Sequence, residues 1–267
     1  MFKLLFQPGV ALMRRLTFPK KFVVVSIFLL LPLLLARYFL SVDIDSQIEL
    51  AKREQLGLQQ VRPYLALLPL MQQHRGLSNV VLSGAESFKP EIPKTQAAID
   101  TLFIQIDRQI KAAPGEQFAL RETSALREKW NALKSIDAES GAAKAFQART
   151  AMIADLLSAI RVIAIESNLV LDSNSAGFHL VTLFSDKLPR LAEIIAQARG
   201  LSAGLAAKKT MNADERSRLS VLAMLGSAAT PEAAATFAVA LKNAPEINAA
   251  LSGSAKSLQL IEPYIQS

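Results

Sequence analysis

The chain contains no cysteine, which excludes a disulfide framework, a thiolate metal site and a cysteine nucleophile. Its two histidines, His74 and His179, sit in separate stretches, whereas a metal centre usually draws on about three or four ligands. Neither a metal nor a cofactor is expected. No run alternates apolar and polar residues as a strand would, and glycine and proline fall mainly where helical patterns stop. A phosphate-cradling glycine loop, an HExxH helix and a nucleophile elbow are all missing. Ser78 and Ser202 have no paired base within sequence reach, so nucleophilic catalysis has no support and the chain is not expected to be an enzyme. The first 40 residues lack any acidic side chain yet hold six of the 30 Lys and Arg. Beyond them 24 basic residues face 23 acidic ones, so the formal charge of +7 reflects membrane topology and not a nucleic-acid surface.

What is present begins with Phe22 to Leu40, FVVVSIFLLLPLLLARYFL, whose first fourteen residues carry no charge. That is about the ~20 residues a helix needs to cross a bilayer. Lys3, Arg14, Arg15, Lys20 and Lys21 precede it, which places the N-terminus in the cytoplasm and residues 41–267 outside. A cleaved signal peptide shares the basic start and apolar stretch. The long basic region and the sequence Leu34-Leu35-Ala36-Arg37-Tyr38-Phe39, which offers no small-x-small cleavage site, favour an uncleaved anchor. Arg37 and Tyr38 suit a membrane interface. The expected organisation is a cytoplasmic tail (1–21), a transmembrane helix (22–40) and an extracytoplasmic helical module (41–267). Ala151 to Ile165 is the next most apolar stretch, but Asp155 and Arg161 interrupt it.

The outer module is rich in Ala, Leu, Gln, Lys, Arg and Glu, which predicts an all-α fold. A first helix is expected from Asp43 to Ser83, burying Ile44, Ile48, Leu58, Val61, Leu65, Leu68, Leu77 and Val81 and bending between Arg62 and Leu70 at Pro63 and Pro69. Further helices are expected over Thr95–Ala112, Glu116–Ser135, Ala142–Leu171 and Phe178–Lys208. Asn212 with Glu215 forms a capping-box start for a helix through Leu225, and Thr230-Pro231 reads as the start of another. Short connections suit an up-and-down bundle, or two stacked bundles. Asp172 to Gly177 begins like a calcium loop, but Ala176 and Leu183 stand where ligands are needed, so it reads as a capped turn.

Two helices share an internal echo. Gln73-His74-Arg75-Gly76-Leu77-Ser78 matches Gln197-Ala198-Arg199-Gly200-Leu201-Ser202 in five of six positions. A glycine in mid-helix costs about 1 kcal/mol relative to alanine, so it needs a reason such as close approach of a neighbour. The adjacent arginine offers a planar fork of donors suited to an oxyanion. If the two helices are neighbours, Arg75 and Arg199 could face one another across a small anion site. Against this stands a purely structural reading, in which both arginines pair with carboxylates and both glycines are packing contacts.

The chain here resembles the sensor modules of bacterial transmembrane receptors of the methyl-accepting chemotaxis class, particularly the all-helical nitrate- and nitrite-sensing type. The resemblance rests on residues 73–78 following a transmembrane helix, on the Arg199-Gly200 echo, and on Leu171 to Leu191. It implies a periplasmic module on a single-pass inner-membrane anchor, acting as a homodimer, with Arg75, Arg199, Ser78 and Ser202 around a small-molecule ligand such as an oxyanion. His74 and Ala198 depart from the acidic residue that usually precedes Arg-Gly in that type. Receptors of this class continue through a second membrane helix into an output module, and no kinase, cyclase or methyl-acceptor segment follows here. Output would then come from a missing domain or a cytoplasmic signalling partner. The expected function is ligand sensing relayed by helix displacement; the competing reading is a scaffolding helical protein of the cell envelope that binds no small molecule.

Overall fold

The computed structural model describes Arg14 and residues 16–112, 117–134, 141–171 and 175–243. The described residues are helical with no strand among them, and the all-α fold is as expected. The chain divides into two compact units, residues 1–52 and 53–267.

The first unit is built by the N-terminal part of helix α1 (Phe18–Leu82). None of the side chains from Phe22 to Leu40 is buried; Phe28 is 79% and Leu33 65% exposed. This helix is long and apolar enough to cross a membrane by length and composition. Ile44 and Ile48, expected on a buried stripe, are exposed as well.

In the second unit α1 turns one face inward. Its buried positions, Gly57, Val61, Tyr64, Leu68, Met71, Arg75, Ser78 and Val81, recur at three- and four-residue steps. The face is rotated from the expected one: Leu58 is exposed and Leu65 and Leu77 are only partly buried, because Gln60, Gln72, His74 and Arg75 occupy core positions that a count of apolar residues passes over. The bend expected at Pro63 and Pro69 does not end the helix. It ends at Gly84, whose φ of +106° is open to glycine. There Gly84 N–H bonds Val81 O at 3.0 Å and Ala85 N–H bonds Val80 O at 3.1 Å, which satisfies two orphan carbonyls.

Helix α2 (Glu91–Ala112) starts four residues before the expected Thr95, since Pro93 falls in the first turn, where an amide has no helical partner anyway. Helix α3 (Leu120–Leu133) starts later than expected, after Ala119 adopts a left-handed φ of 53°. Helix α4 (Gly141–Glu166) stops before the expected Leu171, at Asn168 with φ 62°. Paired residues fix the directions. Gln60 and Tyr64 of α1 meet Phe118 and Thr123, so α1 and α3 run parallel. Asp100 and Asp107 of α2 meet Trp130 and Arg127, so α2 runs against α3. Lys129 and Leu133 meet Asp155 and Arg149, and Arg53 and Arg75 meet Glu166 and Thr150, so α4 opposes both α3 and α1. This up-and-down bundle closes on one core that includes Tyr64, Leu67, Ile99, Phe103, Trp130, Ile153 and Ile160. Each such side chain contributes roughly 1.5–3 kcal/mol by leaving water, as an upper estimate.

The expected Phe178–Lys208 helix is instead α5 (Ser175–Thr182), a π-helical turn (Leu183–Lys187) and α6 (Leu188–Lys208). Pro189 sits in the first turn of α6, and the wider turn before it accommodates the missing donor. Helix α7 (Ala213–Asn243) opens on the expected capping box, with Glu215 N–H to Asn212 Oδ1 and Asn212 N–H to Glu215 Oε2, both 2.9 Å. Thr230-Pro231 does not start a helix: α7 passes through Pro231, and buried Thr230 turns its hydroxyl back to Gly226 O at 2.9 Å instead of capping. Leu183, Leu191, Ala233 and Phe237 form a second, smaller core between the π turn, α6 and α7. Residues 113–116, 135–140 and 244–267, and Asp172 to Asn174 of the calcium-like turn, lie outside the described residues.

Candidate functional site

The echoed segments of α1 and α6 lie side by side. A Cβ built on Gly200 would stand 3.7 Å from Gly76 Cα and 3.1 Å from the Phe146 ring of α4. One turn further, Asn79 Nδ2 donates to Gly200 O at 2.9 Å, and a Cβ on Gly204 would collide with the Asn79 amide. Gly200 and Gly204 therefore have the close approach that mid-helix glycine suggested. Gly76 itself faces open space, with nothing within 4 Å of a built Cβ.

The arginines do not share a site. Arg75 is fully buried, and its guanidinium grips Glu193 of α6: Nη1 bonds Oε1, and Nη2 bonds Oε2 at 3.2 Å. Nη1 also reaches Thr150 Oγ1 of α4 at 3.1 Å, and the guanidinium carbon stands 5.0 Å from the Phe146 ring centroid. Arg75 Nε is buried with no hydrogen-bond partner among the described residues. Glu193 further accepts from Gln72 Nε2 at 3.0 Å and Gln197 Nε2 at 2.8 Å. Arg199 is exposed, as is Ser202, while Ser78 is buried and bonds its own helix at His74 O, 2.7 Å away. The anion bridge expected between Arg75 and Arg199 is thus replaced by an internal carboxylate, and the four expected ligand residues do not converge. The physical reason is surroundings: α4 and α6 both cover the Arg75 side of α1, whereas the Arg199 side of α6 faces solvent.

A second polar layer lies beside the first. His74 is fully buried, with its ring edge-on to Trp130 at 5.0 Å between centroids. Arg149 Nε approaches His74 Nδ1 at 3.4 Å, and Arg149 also donates to Ala145 O and Leu133 O at 3.1 and 2.8 Å. Burial foremost, then the Arg149 charge, lower the His74 pKa from 6.5 to about 4, against a smaller upward effect of the Lys134 backbone. Burial likewise lowers Arg149 and raises Tyr64. At neutral pH His74 is therefore an uncharged member of the core. Among the described residues no group of three His, Cys, Asp or Glu is placed to hold a metal ion.

Sequence reasoning missed Glu193, Thr150, Phe146 and Arg149. Of these only Glu193 left a trace: it stands four residues before Gln197, one helical turn from the echo on the same face. A cavity of about 340 Å³ opens beyond the glycine contact, between the end of α1 and the start of α7, with Asn79, Phe146, Leu205 and Arg218 among its walls. No family model, curated protein or solved structure matches the chain.

Proposed function

We propose that the chain is the membrane-anchored, extracytoplasmic sensing module of a chemotaxis-type bacterial receptor, with its N-terminus in the cytoplasm, working as a homodimer on a small polar ligand. One observation carries the reading. A single helix, α1, holds both the unburied apolar run from Phe22 to Leu40 and, further along, the buried polar face at Gln72, Arg75 and Asn79 that packs on α6. A ligand that changes how α6 or α4 packs on that face acts on the element that enters the membrane. It does so only through a difference in its affinity for the two packings. Buried polar groups suit such a device, because a satisfied network has discrete arrangements and no continuous range of compromises.

The scaffold reading has its own support in the satisfied Arg75–Glu193 pair, which a static bundle also needs. Titration separates the two. The full-length chain in lipid nanodiscs is exposed to nitrate, nitrite, small carboxylates and amino acids while its thermal midpoint and heat of binding are recorded. A ligand of the native state at ~100 times its Kd stabilises by about 2.7 kcal/mol. Saturable heat with a matching upward shift supports a sensor. A flat response to the whole panel supports the scaffold.

A further inference from the structure

We propose that the cavity between the ends of α1 and α6 and the starts of α4 and α7 binds a small zwitterion of the amino-acid type, its ammonium at Asp214 and its carboxylate at Arg218. The proposal deepens the sensor reading and rests on it for the use to which binding is put.

Several charged and polar groups on the cavity wall are already engaged. Lys208 bonds Glu215, and Glu215 closes the capping box with Asn212, so these three are committed to holding the α6–α7 turn. Asn79 commits its Nδ2 to Gly200 O. Asp214 and Arg218 also line the cavity; neither forms a hydrogen bond or close ion pair with another described residue, although the Arg218 charge also helps hold the Glu215 carboxyl below its usual range. They stand four residues apart on α7, on one face, with their β-carbons about 6 Å apart. An acid and a base at that separation match a ligand whose ammonium and carboxylate flank a single carbon. A purely anionic ligand would meet Asp214, and a purely cationic one would meet Arg218, each at a like-charge cost.

The remaining wall fixes the rest of the ligand. Phe146, Leu201 and Leu205 give one apolar side, and the Ser83 hydroxyl, which has no hydrogen-bond partner among the described residues, gives a polar contact from the turn just past α1. The volume of about 340 Å³ is at the small end of the range for small-molecule sites, roughly 300–1,000 Å³. It suits a neutral amino acid with a short side chain lying on Phe146. Such a ligand touches α1, α4, α6 and α7 together, one turn from the Gly76–Gly200 contact, so its binding favours one packing of α6 on α1.

The test is calorimetric titration of the full-length chain in nanodiscs with glycine, alanine, serine and valine, with ethylamine and propionate as single-charge controls and nitrate as a simple anion. The expected result is saturable binding of an amino acid, with neither single-charge control binding. Asp214→Asn and Arg218→Gln, both at exposed positions, should each weaken it about 10- to 100-fold. Ala143→Trp, also exposed and on the cavity wall, should abolish binding while both charges remain. Amino-acid binding that survives all three substitutions overturns the cavity site and leaves the sensor reading in place, as does binding of nitrate or propionate alone. Silence across every probe overturns both.

Discussion

Removing Glu193 tests the buried polar layer at its centre. Glu193→Ala leaves the fully buried Arg75 guanidinium with Thr150 and the Phe146 ring, and strands the amides of Gln72 and Gln197. Removing one partner of a buried ion pair costs about 3–5 kcal/mol, because an uncompensated charge stays in the core. Arg75→Met creates the mirror defect, a buried carboxylate held only by two glutamine amides, and belongs in the same range. The double variant Arg75→Met, Glu193→Gln removes both charges yet keeps acceptors and donors for Gln72 and Gln197. It should return to within about 2 kcal/mol of the parent, so the single losses are strongly non-additive. Trp130, the only tryptophan in the chain and 1% exposed against His74, reports unfolding of this region without a label. Urea titration in detergent of the parent, Arg75→Met, Glu193→Gln and the double variant, read by its fluorescence, gives a closed cycle, with Glu193→Ala as the variant that also opens a cavity. Single variants that each lose less than ~1 kcal/mol, or a double variant that loses the sum of the two, would refute the reasoning.

Two further perturbations follow from the same packing. His74 titrates at about 4 when folded and 6.5 otherwise, so between those values the unfolded chain binds more protons. Its contribution is complete above pH 6.5 and lost as pH falls towards 4, up to about 3 kcal/mol; His74→Gln should flatten that part of the stability–pH curve, and an unchanged slope would remove histidine as its source. Gly204→Ala drives a methyl group into the Asn79 amide and should cost about 1–3 kcal/mol, whereas Gly76→Ala meets nothing and should stabilise by up to ~1 kcal/mol. Thermal midpoints moving the same way in both variants would count against the described α1–α6 contact.

Local signals in the sequence carried the elements that depend on local chemistry. The Asn212–Glu215 capping box involves residues three apart and needs nothing from the rest of the fold. Thr230-Pro231 looks the same at a helix start as inside one, and burial of Thr230, whose hydroxyl turns back to Gly226 O, decides which. The inward face of α1 was shifted because its core positions hold Gln60, Gln72, His74 and Arg75, each polar and each bonded to a partner distant in sequence. The echo at Arg75-Gly76 and Arg199-Gly200 falls on two helices that lie side by side, which the sequence left as a condition. It could not show that Glu193 fills the space between them, since a buried glutamate and a surface one read alike until a partner is placed beside them.

The central claim is a helical module held outside the cytoplasm by one N-terminal helix, and the absence of cysteine makes its direct test clean. Single cysteines at exposed Ser124 and Thr17 report on the bundle and on the segment before the apolar run. Intact cells with a permeabilised outer envelope are treated with a membrane-impermeant maleimide, then lysed and probed. Labelling of Ser124→Cys in intact cells, with Thr17→Cys labelled only after lysis and both in the membrane fraction, is the predicted result. The reverse pattern, or a chain recovered in the soluble fraction, would contradict it.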